Sequence, residues 1–225
     1  MATTILLENE IRIPTDLQSL AEFRRWAISD DFPERGRIDF VAGFIEVDMS
    51  PEDLFCHGSL KGEIYATLHG RVKRDNLGHL FVDRTRVSCP HADLSVEPDI
   101  VFISRGAIHA GRVRLVPKAG GQPGRYVEVE GPPDLVVEIV SDASLAKDTR
   151  RLPEAYFKAG VTEYWLADAR GDKLFFRIHH RGRSQFESAP TDNEGYQQSS
   201  VFDCFFGLDG HRDEQEHWTF DLREK

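Results

Sequence analysis

The chain has 225 residues, 40% hydrophobic and 29% charged, which fits a folded globular protein and excludes a disordered one. Its formal net charge of −10 argues against a surface that grips nucleic acid everywhere, because neutralising phosphates needs a basic face. It leaves room for a local groove, or for a carboxylate site that meets phosphate through a bound cation.

Cys56, Cys89 and Cys204 are odd in number and widely spaced, so neither a disulfide framework nor a cysteine zinc site is expected. The opening segment, Met1–Pro14, has early acids and no positive stretch leading into an apolar core, so it does not read as a signal peptide. No apolar run approaches the roughly 18 residues of a membrane span. The cytoplasm is the expected address, with no membrane partner. Without a repeat, a low-complexity tract or a linker, one domain is expected over residues 1–225.

Residues 14–29 read as a helix, with Thr15 and Gln18 as a capping box and Leu17, Leu20, Ala21 and Phe23 at helical spacing. Arg37–Val41 and Phe44–Met49 form a hairpin signal around Ala42 and Gly43. A second helix is expected near His57–Val72, with Leu60, Ile64, Leu68 and Val72 on one face. Strands follow at Leu80–Ser88 and Val96–Ile103, then a basic, Gly-rich loop over 107–126. Asp134–Val140 is a dense β-branched run of buried-strand type. A helix near Asp148–Ala159 ends at Gly160, with Pro153 tolerable in its first turn. Glu163–Ala169 and Lys173–His180 read as another hairpin. Phe202, Phe205, Phe206 and Trp218 in the acidic tail are expected to pack back on the sheet.

The chemistry-bearing feature is a pair of apolar strands, each interrupted by one carboxylate. Asp99 stands at the mouth of Ile100–Ile103, and Glu138 lies inside Leu135–Val140. Alternation puts Leu135, Val137 and Ile139 on one face and Val136, Glu138 and Val140 on the other. An unpaired carboxylate there costs several kcal/mol or more, so a partner is needed, and a divalent cation suits two oxygen ligands. Cutting a phosphodiester needs a held metal, an activated water and neutralised charge. Lys147 is the nearest lysine after Glu138 and is the candidate for orienting that water, with Arg150 and Arg151 as neighbours.

Plainer roles stay open at this stage. Glu138 fits an ion pair with an arginine such as Arg150, and Asp99 a turn cap after Pro98. Lys147 fits a solvated position at a helix start, Asp134 a shaping role at the start of its strand, and Asp148 a helix cap. His57 suits backbone bonding as well as a cleft. His179 and His180 alternate to opposite faces and make a poor chelating pair, and Tyr156, Phe157, Tyr164 and Trp165 read as core. No phosphate-binding Gly loop, dinucleotide fingerprint, nucleophile elbow or zinc-protease helix motif occurs.

The stretch PDLVVEIVSDASLAKDTRRLPEAYFKAGVTEYWLADARG resembles the core of the Uma-two group of restriction endonucleases within the PD-(D/E)XK nucleases. EPDIVFI resembles that group's first acidic strand, and RIDFVAGFIEVDMSP with His57 its N-terminal hairpin and histidine. The similarity spans roughly residues 15 to 180, with 181–225 as a C-terminal extension packing on the sheet. It implies an α/β fold: a restriction-endonuclease-like mixed β-sheet core flanked by helices, with N-terminal and C-terminal β-hairpins. It also implies Asp99 and Glu138 as metal-binding acids, and Asp39, Glu46 and His57 as supplementary residues near the cleft.

Two departures stand out. The superfamily lysine two residues after the Glu is Val140 here, and the position in the following helix where Uma-two members carry a lysine is Leu152. The resulting expectation is a magnesium-dependent endonuclease acting on DNA, with manganese as a substitute metal, Lys147 as the compensating lysine, and a two-fold homodimer by restriction-enzyme habit. The alternative is a nuclease fold that has lost catalysis and serves as a binding module.

Overall fold

The computed structural model describes residues 4–6 and 11–225. Residues 1–3 and 7–10, on which part of the leader reading rests, lie outside the described residues. Strands β1 (Thr4–Leu6) and β2 (Arg12–Pro14) pair antiparallel ahead of helix α1 (Leu20–Ala27). This helix starts later than expected because Ser19, not Thr15, caps it. Ser19 Oγ accepts the Glu22 N–H, and Glu22 Oε2 accepts from the Gln18 N–H at 2.9 Å. Leu20, Phe23 and Trp26 then pack on Ile38 and Phe40.

Strands β3 (Arg37–Val41) and β4 (Phe44–Asp48) form the expected hairpin. Ala42 and Gly43 both have positive φ, 49° and 84°, the two-residue turn whose twist matches the strands it joins. A π-helical turn, Leu54–Ser59, carries His57 into helix α2 (Leu60–Arg74). Leu60, Ile64 and Leu68 are fully buried, each contributing about 1.5–3 kcal/mol through its removal from water.

The two strands expected next are each broken into two that serve different sheets. β5 (Gly78–Val82) and β6 (Arg86–Cys89) part at Asp83 and Arg84, both left-handed at φ 49° and 46°. β7 (Leu94–Val96) and β8 (Ile100–Ser104) part around Pro98, which has no N–H to extend a ladder. The loop expected over 107–126 is also corrected: it holds the end of a short helix, α3 (Arg105–His109), and strand β9 (Arg114–Pro117), which pairs with β10 (Tyr126–Glu130). Only two apolar residues, Leu115 and Val116, mark β9, too few for a strand pattern to register.

β11 (Leu135–Ile139) is followed by a second π-helical turn, Lys147–Arg151, and helix α4 (Leu152–Ala159). Pro153 sits at the start of α4, where its missing N–H costs nothing, and Gly160 ends the helix at φ 92°. β12 (Glu163–Asp168) and β13 (Phe175–Arg181) form the expected hairpin, extended by β14 (Phe186–Ser188). β15 (Gln197–Ser199), β16 (Cys204–Arg212) and β17 (Trp218–Glu224) make a C-terminal antiparallel sheet.

Two six-stranded mixed sheets result, ordered β4-β3-β7-β6-β10-β9 and β14-β13-β12-β11-β8-β5. Within the second, β11 runs parallel to β12 and antiparallel to β8. One face of it carries Ile100, Leu135, Val137 and Trp165 against α2 and the C-terminal sheet. The other carries Val101, Val136 and Tyr164 against α4 and the first sheet. Phe202, Phe206 and Trp218 join the first of these cores as expected, whereas Phe205 points outward, 39% exposed. Among the described residues, no helix is long and apolar enough to cross a membrane.

Candidate active site

Val137 pairs with Ile100 across the antiparallel β11–β8 ladder, so Asp99 is the next residue opposite Glu138. Both sit on the α4 face of the sheet and both are buried. On the other flank the Asp83 N–H donates to the Asp99 carbonyl at 3.1 Å, which places Asp83, Asp99 and Glu138 in one row across three strands.

Asp99 is heavily partnered. Its Oδ1 accepts from Arg37 Nη2 at 2.7 Å and its Oδ2 from the Ile139 N–H at 2.8 Å, so it is no mere turn cap. His57 Nε2 lies 3.4 Å from Oδ2, and Lys61 Nζ 4.0 Å from Oδ1. Burial alone would raise this carboxyl, but His57, Arg37 and Lys61 outweigh it and hold it well below its ordinary range.

Glu138 is the opposite case. The Tyr156 hydroxyl donates to its Oε1, while Oε2 is buried with no hydrogen-bond partner. Burial, then the charges of Asp99 and Asp148, push its carboxyl well above the ordinary value despite Arg37 and Tyr156. The Arg150 pair that sequence left open is not made. Tyr156, which reads as core, is the residue that orients Glu138.

Lys147 is buried rather than solvated, and its Nζ donates to Asp39 Oδ2. Burial would lower the ammonium's pKa, but Asp39 more than offsets that and raises it, with Glu138 adding to the effect. Asp39 in turn accepts the Glu97 N–H at 3.0 Å. Asp148 does not cap the helix: Ser144 Oγ donates to its Oδ2, and its Oδ1 is buried and unpartnered. Burial lifts this carboxyl to about 6, against the pull of Ser144 and Lys147. Asp134 accepts from the Ser104 N–H and from Arg112, fixing the start of β11. Glu46 pairs with Arg151 at 2.9 Å on the rim. Leu152, the first residue of α4, is buried in the core, so no cation stands at that position.

Sequence reasoning missed Arg37, Glu52, Lys61 and Asp83. Lys61 donates to both Glu52 oxygens, at 2.9 and 3.1 Å, and to Asp83 at 2.6 Å. Two signals were available: Arg37 shares a strand face with Asp39, and Lys61 lies one helical turn beyond His57. His57 itself is drawn to about 9: burial would lower its pKa, but Asp99 and Glu52 on its two sides overcome that.

Three small cavities converge on the segments around Ser50 and Ser141. One of about 300 Å³ is lined by Arg37, Glu52, His57 and Asp83, one of about 420 Å³ by His57, Ser141, Asp142 and Arg170, and one of about 420 Å³ by Glu46, Ser144 and Lys147. A larger cavity of about 820 Å³, between α4 and β13, is lined by none of Asp99, Glu138 and Lys147. Size alone does not place the chemistry. Asp99 and Glu138 line none of these cavities; the smaller ones are lined instead by their neighbours, His57 beside Asp99 in two of them and Lys147 in the third.

No curated protein matches the chain. A solved structure from Anabaena variabilis ATCC 29413, described as "a putative nuclease belonging to DUF820", is similar with a TM-score of 0.56 and 16% identity, over 82% of this chain and 90% of that one. At that identity the likeness concerns the fold, a nuclease-like mixed α/β architecture. The family model described as "Putative restriction endonuclease" matches residues 20–208. The chain therefore belongs to the Uma2 family.

Proposed function

We propose that the protein is a metal-dependent endonuclease that hydrolyses DNA phosphodiester bonds, with magnesium held by Asp99 and Glu138 and manganese as a substitute. The observation that carries this reading is the buried, unpartnered Glu138 Oε2 beside a second buried carboxylate. Family membership supports it.

The residues fit a cation. Glu138 is charged only at a cost while Asp99 and Asp148 face it, and a divalent ion is the group that removes that cost. When bound, the ion supplies a Lewis acid for the phosphate and a more acidic water. The chain's own residues do the rest. Tyr156 fixes Glu138 through Oε1 and leaves Oε2 free to act. Arg37 counters the Asp99 charge, so the site is not overloaded with negative charge before substrate arrives. Lys147, held by Asp39 at the edge of a cavity, is the group we assign to orienting the attacking water and steadying charge on the phosphate.

The test is cleavage of plasmid and of linear duplex by purified protein with magnesium or manganese, beside Asp99→Asn and Glu138→Gln. The reading expects cleavage that EDTA abolishes and that each substitution lowers by at least about 100-fold. Equal cleavage by all three proteins contradicts it.

A second reading, a nuclease fold retained as a binding module, is favoured by one observation: Arg37 and the Ile139 N–H already occupy Asp99. It expects no cleavage and no heat of magnesium binding.

A further inference from the structure

The cavity of about 820 Å³ between α4 and β13 has no task in the mechanism above, yet it has the size of a small-molecule or single-nucleotide site. Strand pairing fixes where it lies. Glu138 pairs with Leu166, Tyr164 with His179, and Asp168 with Phe175. Paired and alternate residues share a face, so Tyr164, Leu166, Phe175 and His179, which line the cavity, stand on the same side of the sheet as Glu138. Val140, two residues or about 7 Å along the chain from Glu138, lines both this cavity and the one beside His57 and Ser141.

The lining suits a flat body carrying negative charge. Phe157, Phe186 and Tyr164 make a packed aromatic corner, with ring centroids 5.7 and 5.8 Å apart. Phe175, on the far strand, is 42% exposed. Arg150 lines the α4 side and makes no hydrogen bond or ion pair among the described residues. Arg177 lies over Phe175 at 5.3 Å and Arg181 over Phe157 at 4.0 Å, and both donate only to backbone carbonyls. The acids of the lining are already spent, Glu154 on Lys158 at 2.7 Å and Asp168 on Arg170 at 2.8 Å. In a chain of net charge −10, three arginines without a carboxylate mark a place where an outside anion meets attraction. His179 adds a neutral polar group: burial, then Arg177 and His180, lower its pKa, and with Nδ1 beside Ser188 Oγ at 3.2 Å its Nε2 is left over.

We propose that this cavity is a nucleotide subsite, taking one unstacked base of the DNA strand whose phosphate meets Asp99 and Glu138, with Arg150 on an adjoining phosphate. The inference deepens the nuclease reading and rests on it. A base within a duplex enters only by leaving its stack and its partner, so the substrate class that follows is single-stranded or unpaired DNA, for which that cost is least.

The experiment uses Glu138→Gln protein with magnesium, so that strands stay intact. Its probe is an oligothymidylate carrying one 2-aminopurine, free or fully paired, beside deoxyadenosine monophosphate alone. Quenching of the probe and single-strand binding at least about tenfold tighter than duplex binding are expected. Adding Arg150→Ala or Phe175→Ala, both at exposed side chains, weakens single-strand binding by at least about fivefold, with circular dichroism as the fold control. Duplex bound as tightly as single strand, or binding indifferent to both substitutions, overturns the proposal. So does mononucleotide bound as tightly as the oligonucleotide, which assigns the cavity to a soluble ligand. Wild-type protein that cuts duplex while these variants bind unchanged loses the subsite and keeps the nuclease reading. The expected binding in a protein that cuts nothing does the reverse.

Discussion

Asp99 and Glu138 face each other across adjacent strands, yet their surroundings drive them to opposite ends of the proton scale. Asp99 is held charged by Arg37 and His57, and Glu138 is pushed toward its neutral form by burial and by Asp99 itself. This divided protonation should show in the stability of the metal-free protein.

Glu138→Gln should raise the melting temperature of the metal-free protein by the equivalent of about 1–3 kcal/mol, because it removes the cost of a buried carboxylate and keeps a Tyr156 contact. The sign with pH follows from the raised carboxyl. The folded state holds a proton that the unfolded state has released, so wild-type stability falls as pH rises through that window. The gap between variant and wild type should be near zero below about pH 4 and open as pH rises. Thermal melts in EDTA across pH read it, and a variant less stable than wild type at neutral pH contradicts it.

Asp148→Asn tests the same balance in a narrower window. With its carboxyl lifted to about 6, wild-type protein loses stability between about pH 4 and 6 and levels off above. The variant should gain up to about 3 kcal/mol relative to wild type across that interval. Denaturant titrations at several pH values measure it, and a constant difference contradicts the assignment.

Arg37→Met should destabilise the metal-free protein by roughly 3–5 kcal/mol, since it strips a buried aspartate of its bonded cation. Manganese should then restore more of the melting temperature in the variant than it adds to wild type, because the ion takes over the lost charge. Differential scanning calorimetry with and without manganese is the readout, and equal shifts in the two proteins argue against a metal at Asp99.

Lys147 is held by Asp39, so fold and chemistry must be separated. Lys147→Met alone should be unstable, leaving Asp39 buried and unpaired, and Asp39→Asn in addition should recover much of that loss. Cleavage should stay down in the double variant. Recovery of cleavage together with stability assigns Lys147 a purely structural role.

Much of the fold was legible because local patterns and tertiary burial agree. The stripe Leu60–Ile64–Leu68–Val72, the Ala42–Gly43 turn and the run Leu135–Ile139 say the same thing at both levels. The misread strands show where that agreement ends. β6, β7 and β8 are buried along nearly their whole length, so alternation gives no sign that the chain changes sheets at Asp83 or Pro98. Asp99 and Glu138 stood out as charges inside apolar runs. Their partners did not, because Arg37, Glu52 and Lys61 look like ordinary surface residues until folding carries them in from other elements.

The most direct measurement of the central claim is anomalous diffraction from crystals soaked in manganese. The account predicts a peak within coordination distance of both Asp99 and Glu138, with Arg37 turned away or shared. Strong soaking that leaves the Arg37–Asp99 bond intact and no peak between the two acids contradicts it.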